Sequence, residues 1–304
     1  MELGLMNATR NLIGTLALNL RKLALAAMAA ATIGAAAAGE PAHLLAAEEL
    51  LSQINSLRAV GVTTEVNGTP LNRYGGSWTS TTDPSYIRFA DLDHGILPAN
   101  NTKCSPLVTH LLKAVYGWNW KNYSFYDPIA KTNKSAASPA PYQYIRLVKE
   151  GKGFAQQVTR LDQAQPGDIL SWWTVGSDSN DHTMIITGVD WDNGKLYPSW
   201  LAGADPSLTG TMFYPVRVID STSDTHTDDS RVCTLNGVAQ TISGIGSGTV
   251  GLLVNANFEI VGRTWSLPTS NYTTQQASWL GGLTNRLRLA PAYEIVIGRM
   301  PVLP

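Results

Sequence analysis

A lone cysteine at the start of a predicted helix is the residue of this chain best placed to do chemistry. In the stretch 101–117, Leu107, Val108, Leu111, Leu112 and Val115 recur at helical spacing; Pro106 suits a first turn and Gly117 the position just past the end. Thr102 is the expected cap, so Cys104 falls at the helix N-terminus. Unpaired N–H groups and the positive end of the helix dipole favour a thiolate there, which predicts a lowered pKa and a nucleophile for carbonyl carbon. The competing reading is a packed thiol, because free cysteine is among the most buried residue types.

Such a nucleophile needs a base, usually a neutral imidazole within hydrogen-bond reach. Five histidines are available. His43 belongs to a leading helix, and His110 lies six residues after Cys104 on the same helix, pointing away from it. His94 and His226 fall in polar loops. His182 begins a strand directly after the polar turn 176–181, so its ring can stand at a sheet edge facing the helix start; a structural histidine is the alternative there.

The elements that must position these residues read as helices first and strands afterwards. Leu44, Leu45, Leu50, Leu51, Ile54 and Leu57 mark an amphipathic helix over 43–57, Asn67-Gly68 marks a tight turn, and 142–149 reads as a further helix. The segment 127–141 reads as an exposed loop. Gln165-Pro-Gly-Asp168 is a turn into a buried strand at 169–174. Strands follow at 182–191, at 195–199 after the hairpin signal Asp192-Asn193-Gly194, at 212–219, 231–235, 238–242, 249–254 and 258–265, and finally at 294–297. Asn236-Gly237 is an expected turn. This order is an α+β plan without internal repeats.

Composition narrows the class. A net charge of −1 with 15% charged and 44% hydrophobic residues over 304 residues describes a chain with an ample core and no polyanion-binding footprint, so a nucleic-acid partner is not expected. Arg10, Arg21 and Lys22 precede an uncharged, alanine-rich run from Leu23 to Gly39 that ends in small residues, the layout of a signal peptide over 1–38 with cleavage near Ala38. That run is too weakly apolar to span a bilayer comfortably, so no stable membrane insertion is expected after cleavage. The expected location is periplasmic or secreted. The two cysteines, Cys104 and Cys233, are read as free thiols, since a disulfide would disable the nucleophile.

Three pieces resemble one family in order. Lys103-Cys104-Ser-Pro-Leu-Val is similar to an Asp-Cys-Ser-Gly-Phe/Leu-Val helix start. Gln165-Pro-Gly-Asp168-Ile-Leu resembles a Pro-Gly-Asp turn opening the first core strand, and Asp181-His182-Thr-Met-Ile-Ile resembles the strand that carries the base. The family is the papain-like cysteine peptidases and amidases of bacterial cell walls, of NlpC type and related to the CHAP amidases, and the resemblance covers roughly residues 70–220. It implies a single domain over 39–304 whose nucleophile helix packs on an antiparallel sheet, with extra C-terminal strands from about 225 that have no counterpart in the minimal family domain. It also implies that Asp220, on the strand after the histidine strand, orients the imidazole, and that Tyr74, in Tyr74-Gly-Gly, supports the oxyanion. The implied activity is cleavage of an amide in peptidoglycan stem peptides or another peptide substrate, without metal or cofactor. Lys103, Pro106 and the long gap from Tyr74 to Cys104 depart from the family pattern. Two other classes share the same residues. One is a non-catalytic cell-envelope binding protein using Trp78, Trp118, Trp120, Trp172 and Trp173, and the other is an acyltransferase.

Overall fold

The computed structural model describes residues 40–59, 65–66, 69–175, 181–196, 208–235, 238–267, 288–289 and 293–301. The expected signal peptide at 1–38, the turns at 67–68 and 236–237, most of the polar turn before His182 and the end of the 195–199 strand lie outside these residues. The described chain is mixed α+β, with three helices and several β-sheets. Helix α1 (Ala42–Ala59) is followed by the paired strands β1 (Glu65–Val66) and β2 (Thr69–Pro70). Then comes a small sheet in which β5 (Ala99–Thr102) lies between β3 (Asn72–Tyr74), parallel, and β4 (Tyr86–Arg88), antiparallel. Helix α2 (Cys104–Tyr116) follows β5 directly. Hairpin β6 (Phe125–Asp127)–β7 (Thr132–Lys134) and helix α3 (Pro141–Lys149) complete the N-terminal half.

The main sheet is built from β8 (Gln156–Val158), β9 (Ile169–Thr174), β10 (His182–Val189), β11 (Lys195–Leu196), β12 (Met212–Thr222), β15 (Gly244–Val254), β16 (Ile260–Thr264), β17 (Arg288–Leu289) and β18 (Tyr293–Arg299). Its order is β17-β16-β15-β12-β10-β9-β18-β8, with β11 added on β12, and its pairs are antiparallel. Strands β13 (Val232–Leu235) and β14 (Val238–Thr241) form a separate hairpin. The C-terminal strand β18 thus lies inside the sheet, between β9 and β8. Arg299 at its end clamps the Pro-Gly-Asp turn through Nε to Asp168 Oδ1 (2.9 Å) and Nη2 to Oδ2 (2.8 Å).

Side-chain alternation divides the sheet cleanly. Ile169, Trp173, Ile185, Ile219, Ile245 and Val296 join Leu50, Leu107, Leu111, Tyr144 and Leu147 in a core under the helices. Leu170, Trp172, Met184, Ile186, Val216, Val218, Val250 and Leu252 form a second core on the other face. The expected helices are present as α1, α2 and α3: Leu44, Leu50, Leu51, Ile54 and Leu57 of α1 and Leu107, Val108, Leu111 and Leu112 of α2 are buried as their spacing predicts, whereas Leu45 is exposed and Val115 half-buried.

Three local expectations are corrected. The N-cap of α2 is Lys103 and not Thr102, because the Thr102 hydroxyl donates to Asn100 Oδ1 (2.7 Å) in the small sheet. The segment 127–141 is not merely an exposed loop. Asp127 is fully buried and accepts from the Ile129 and Ala130 N–H groups (2.9 and 2.8 Å), from Gln143 Nε2 (3.1 Å) and from the Tyr142 hydroxyl (3.2 Å), tying the β6–β7 hairpin to α3. The glycine-rich stretch 244–248 belongs to β15, although glycine disfavours strands by propensity. The reason is space: a Cβ at Gly246 would lie 2.7 Å from Arg231 Cγ, and one at Gly248 would lie 2.7 Å from His226 Cβ. Glycines where another segment approaches closely are a recognised use of the residue in strands. Gly246→Ala is expected to destabilise the fold by about 1–3 kcal/mol through overpacking, read as a lower urea midpoint. An unchanged midpoint would show that Arg231 can move aside.

Candidate functional site

Cys104 opens α2 at a point fixed by side-chain bonds that mimic strand pairing. Asn72 on β3 donates from Nδ2 to the Ile245 carbonyl (3.0 Å) and accepts the Ile245 N–H at Oδ1 (2.8 Å), docking the small sheet on β15. Ser221 Oγ on β12 donates to the Thr102 carbonyl (2.7 Å), two residues before the cysteine. The thiol itself lies against the backbone N–H groups of Thr183 and Ser105. Thr183 is the neighbour of His182, so the start of α2 meets the start of β10.

The electrostatics of that thiol overturn the expectation of a thiolate prepared by the helix N-terminus. Cys104 is 6% exposed, and its pKa is pushed up to about 12. Burial is the main cause, reinforced by the negative charges of Asp181 and Asp220, and the two N–H groups offset only part of it. The resting thiol is therefore protonated. Iodoacetamide at pH 7 is expected to leave Cys104 almost unmodified while labelling the half-buried Cys233, with Cys104 labelling rising only in strongly alkaline buffer, as followed by peptide mass spectrometry. Faster labelling of Cys104 than of Cys233 at pH 7 would show a thiolate after all. Both cysteines are free, as expected.

His182 stands directly across from Trp172 on β9, and the pleat places it with Met184 and Ile186 on the face away from the helices. Asp220 shares that face with Val218 on β12. His182 and Asp220 are brought together: Nε2 and Oδ2 are 2.5 Å apart, with the histidine 4% and the aspartate 0% exposed. The imidazole therefore lies on the face away from the helices, and the Cys104 thiol meets β10 one residue further on, at the Thr183 N–H. Burial lowers the His182 pKa more than the Asp220 hydrogen bond and charge raise it, and the positive charges of His226 and Arg231 lower it further. A neutral imidazole is the form a general base requires.

Tyr74 ends β3, in register with Thr102. Its phenol is raised well above the ordinary tyrosine range, first by burial and then by the charges of Asp181, Asp220 and Asp224 and of Cys104 once that thiol ionises, so it remains a protonated O–H donor near the thiol. Of the four residues expected at the site, His182 and Asp220 are thus in contact, and Cys104 and Tyr74 lie within electrostatic range of Asp220 and, for Tyr74, of Cys104.

The structure adds four residues that the sequence reading left out of the site. His226, assigned to a polar loop, is 6% exposed and places Nε2 2.9 Å from Asp220 Oδ2. Arg231, 0% exposed, donates from Nη1 to Asp220 Oδ1 (2.8 Å) and from Nε and Nη2 to Asp229 (2.9 and 2.7 Å). Asp229 also accepts the His226 N–H (2.7 Å). Trp265 covers the cluster, its ring 4.9 Å from that of His182 and 4.3 Å from that of His226. The signal available in the sequence was the density of ionisable residues between Asp220 and Arg231, which ordinarily marks a solvated loop. Asp220 is consequently held well below the usual carboxylate range: burial pushes it up, but the charges of His226 and Arg231 and the imidazole hydrogen bonds outweigh that.

Among the described residues, His182, Asp220 and His226 are the one group of three or more that places His and carboxylate ligand atoms within 4.8 Å of one another. The carboxylate oxygen that would face an ion is shared by the two imidazole nitrogens, and Arg231 occupies the other oxygen. Among the described residues no helix is long and apolar enough to cross a membrane. No protein-family model, no curated protein and no solved structure matches this chain.

Proposed function

We propose that this chain is an exported thiol hydrolase with a papain-like, NlpC-type arrangement, acting on amide bonds in peptidoglycan stem peptides of a bacterial periplasm or cell surface. One observation carries the reading. A buried carboxylate holds His182 through Nε2 at the end of the strand where the Cys104 thiol takes the neighbouring Thr183 N–H. With Nε2 committed to Asp220, Nδ1 is the nitrogen left to take the thiol proton. Because the resting pair is thiol and neutral imidazole, the proton moves to His182 as sulfur attacks the carbonyl carbon. The imidazolium, stabilised by Asp220, then protonates the leaving amine, and water releases the acid from the thioester. The Cys104 backbone N–H and the Tyr74 hydroxyl are the donors for the oxyanion.

The binding-protein reading loses three of the five tryptophans it depends on, and the other two, Trp78 and Trp118, are half-buried. Trp120, Trp172 and Trp173 are 1%, 0% and 2% exposed, so they belong to the core and cannot present a contact surface. Mass spectrometry of purified peptidoglycan and of unrelated peptides after incubation with the protein tests the proposal. Gain of one water across a stem-peptide bond is expected. Intact stems and peptides after prolonged incubation would remove the hydrolase reading.

A further inference from the structure

We propose that His226 is a buried imidazolium that completes the charge of the Asp220 cluster and acts as a positioning residue for His182. The argument starts from what its two ring nitrogens face. Nδ1 lies 2.8 Å from the Trp265 carbonyl oxygen, which can only accept. Nε2 lies 2.9 Å from Asp220 Oδ2. The other Asp220 oxygen takes the Arg231 guanidinium at 2.8 Å, and Oδ2 also takes His182, so the carboxyl group is held as an anion. With an acceptor at each end, the His226 ring makes both hydrogen bonds only when both nitrogens carry protons.

The charges of the cluster agree. Asp220 and Asp229 bring two negative charges and Arg231 one positive charge, all in side chains that are 0% exposed. One more positive charge is needed to avoid an uncompensated buried anion, which is costly in a low-dielectric interior. His226 and His182 are the two groups that could supply it. His226 has two acceptors, whereas Asp220 engages only one nitrogen of His182. Placing the proton on His226 satisfies Asp220 and leaves His182 neutral. The groups that face His226 are thus Asp220 on β12, Asp229 and Arg231 in the segment before β13, and His182 on β10, with ring centroids 6.4 Å apart. Burial alone would push the His226 pKa down, but Asp220 and the Trp265 carbonyl raise it above the ordinary value. Gly248 provides the space, since a Cβ there would meet the His226 Cβ.

The consequence for turnover rests on the hydrolase reading, whereas the protonation state of His226 does not. ¹⁵N NMR of histidine-labelled whole protein between pH 5 and 9 reads the ring nitrogens directly. His226 is expected to show two protonated nitrogens at pH 7, while His182 shows one unprotonated nitrogen. In His226→Gln the cation is gone and Asp220 acts more strongly on His182, so the His182 proton-binding constant should rise about tenfold, which corresponds to about 1.4 kcal/mol. An unprotonated nitrogen on His226 at pH 7 would overturn the proposal whether or not the variant folds. So would stoichiometric binding of Zn²⁺ that shifts both histidines, which would make the cluster a metal centre. An imidazolium at His226 in a protein that cleaves no stem peptide would instead sink only the hydrolase reading.

Discussion

Cys104→Ala is expected to reduce amide cleavage to background, by roughly 10⁴- to 10⁶-fold, and His182→Ala to do the same, with the double variant no worse than either. Non-additivity is the informative part, because a nucleophile and its base fail as one unit. The measurement is release of stem-peptide fragments under single-turnover conditions, alongside thermal midpoints to show that the variants fold. Retained cleavage in Cys104→Ala would end the thiol mechanism. Retained cleavage in His182→Ala alone would move the base to another group near the end of β10.

Asp220→Ala is expected to have the largest effect on stability, about 3–5 kcal/mol, because it strips the acceptor from three buried donors at once. Arg231 would keep Asp229 and the Gly244 carbonyl, but His226 and His182 would lose their carboxylate. The pH dependence follows in sign. Asp220 is depressed below its unfolded value, so its stabilising contribution is present above the ordinary carboxylate range and is lost as pH falls through the lower folded value. Urea unfolding of wild type should therefore show a steeper acid limb than Asp220→Ala, in which Asp127 still contributes. Replacing Asp220, His226, Asp229 and Arg231 together with apolar residues of similar volume should recover part of the loss, since removing a whole buried ion cluster costs less than breaking it. A wild-type midpoint in Asp220→Ala would show that the cluster is not the anchor of this end of the sheet.

A good part of the architecture was legible locally. Spacing of apolar residues locates α1 and α2, a further helix is expected where α3 lies, the Pro-Gly-Asp turn precedes β9, and alternating or continuous apolar runs mark β9, β10 and β12. The small sheet of β3, β4 and β5 was not legible, because its strands are three or four residues long and depend on side chains such as Asn72 and Asn100 bonding to distant backbone. Nor was the strand character of 244–248, where glycine was needed only because Arg231 and His226 pack over it.

The candidate site divides along the same line. Residue types and a motif resemblance selected Cys104, His182, Asp220 and Tyr74, since helix starts, strand starts and turns are written in short stretches of sequence. The state of those groups was decided by the tertiary structure. A helix N-terminus argues for a thiolate within its own first turn, but burial under β10 and the nearby Asp181 and Asp220 charges act across dozens of residues and reverse the result. His226, Asp229 and Arg231 read as an ordinary polar loop until the chain folds it onto Asp220. Hydrophobic periodicity is a property of neighbouring residues, whereas desolvation and the pairing of buried charges depend on which distant segments meet, and that information exists only in the folded chain.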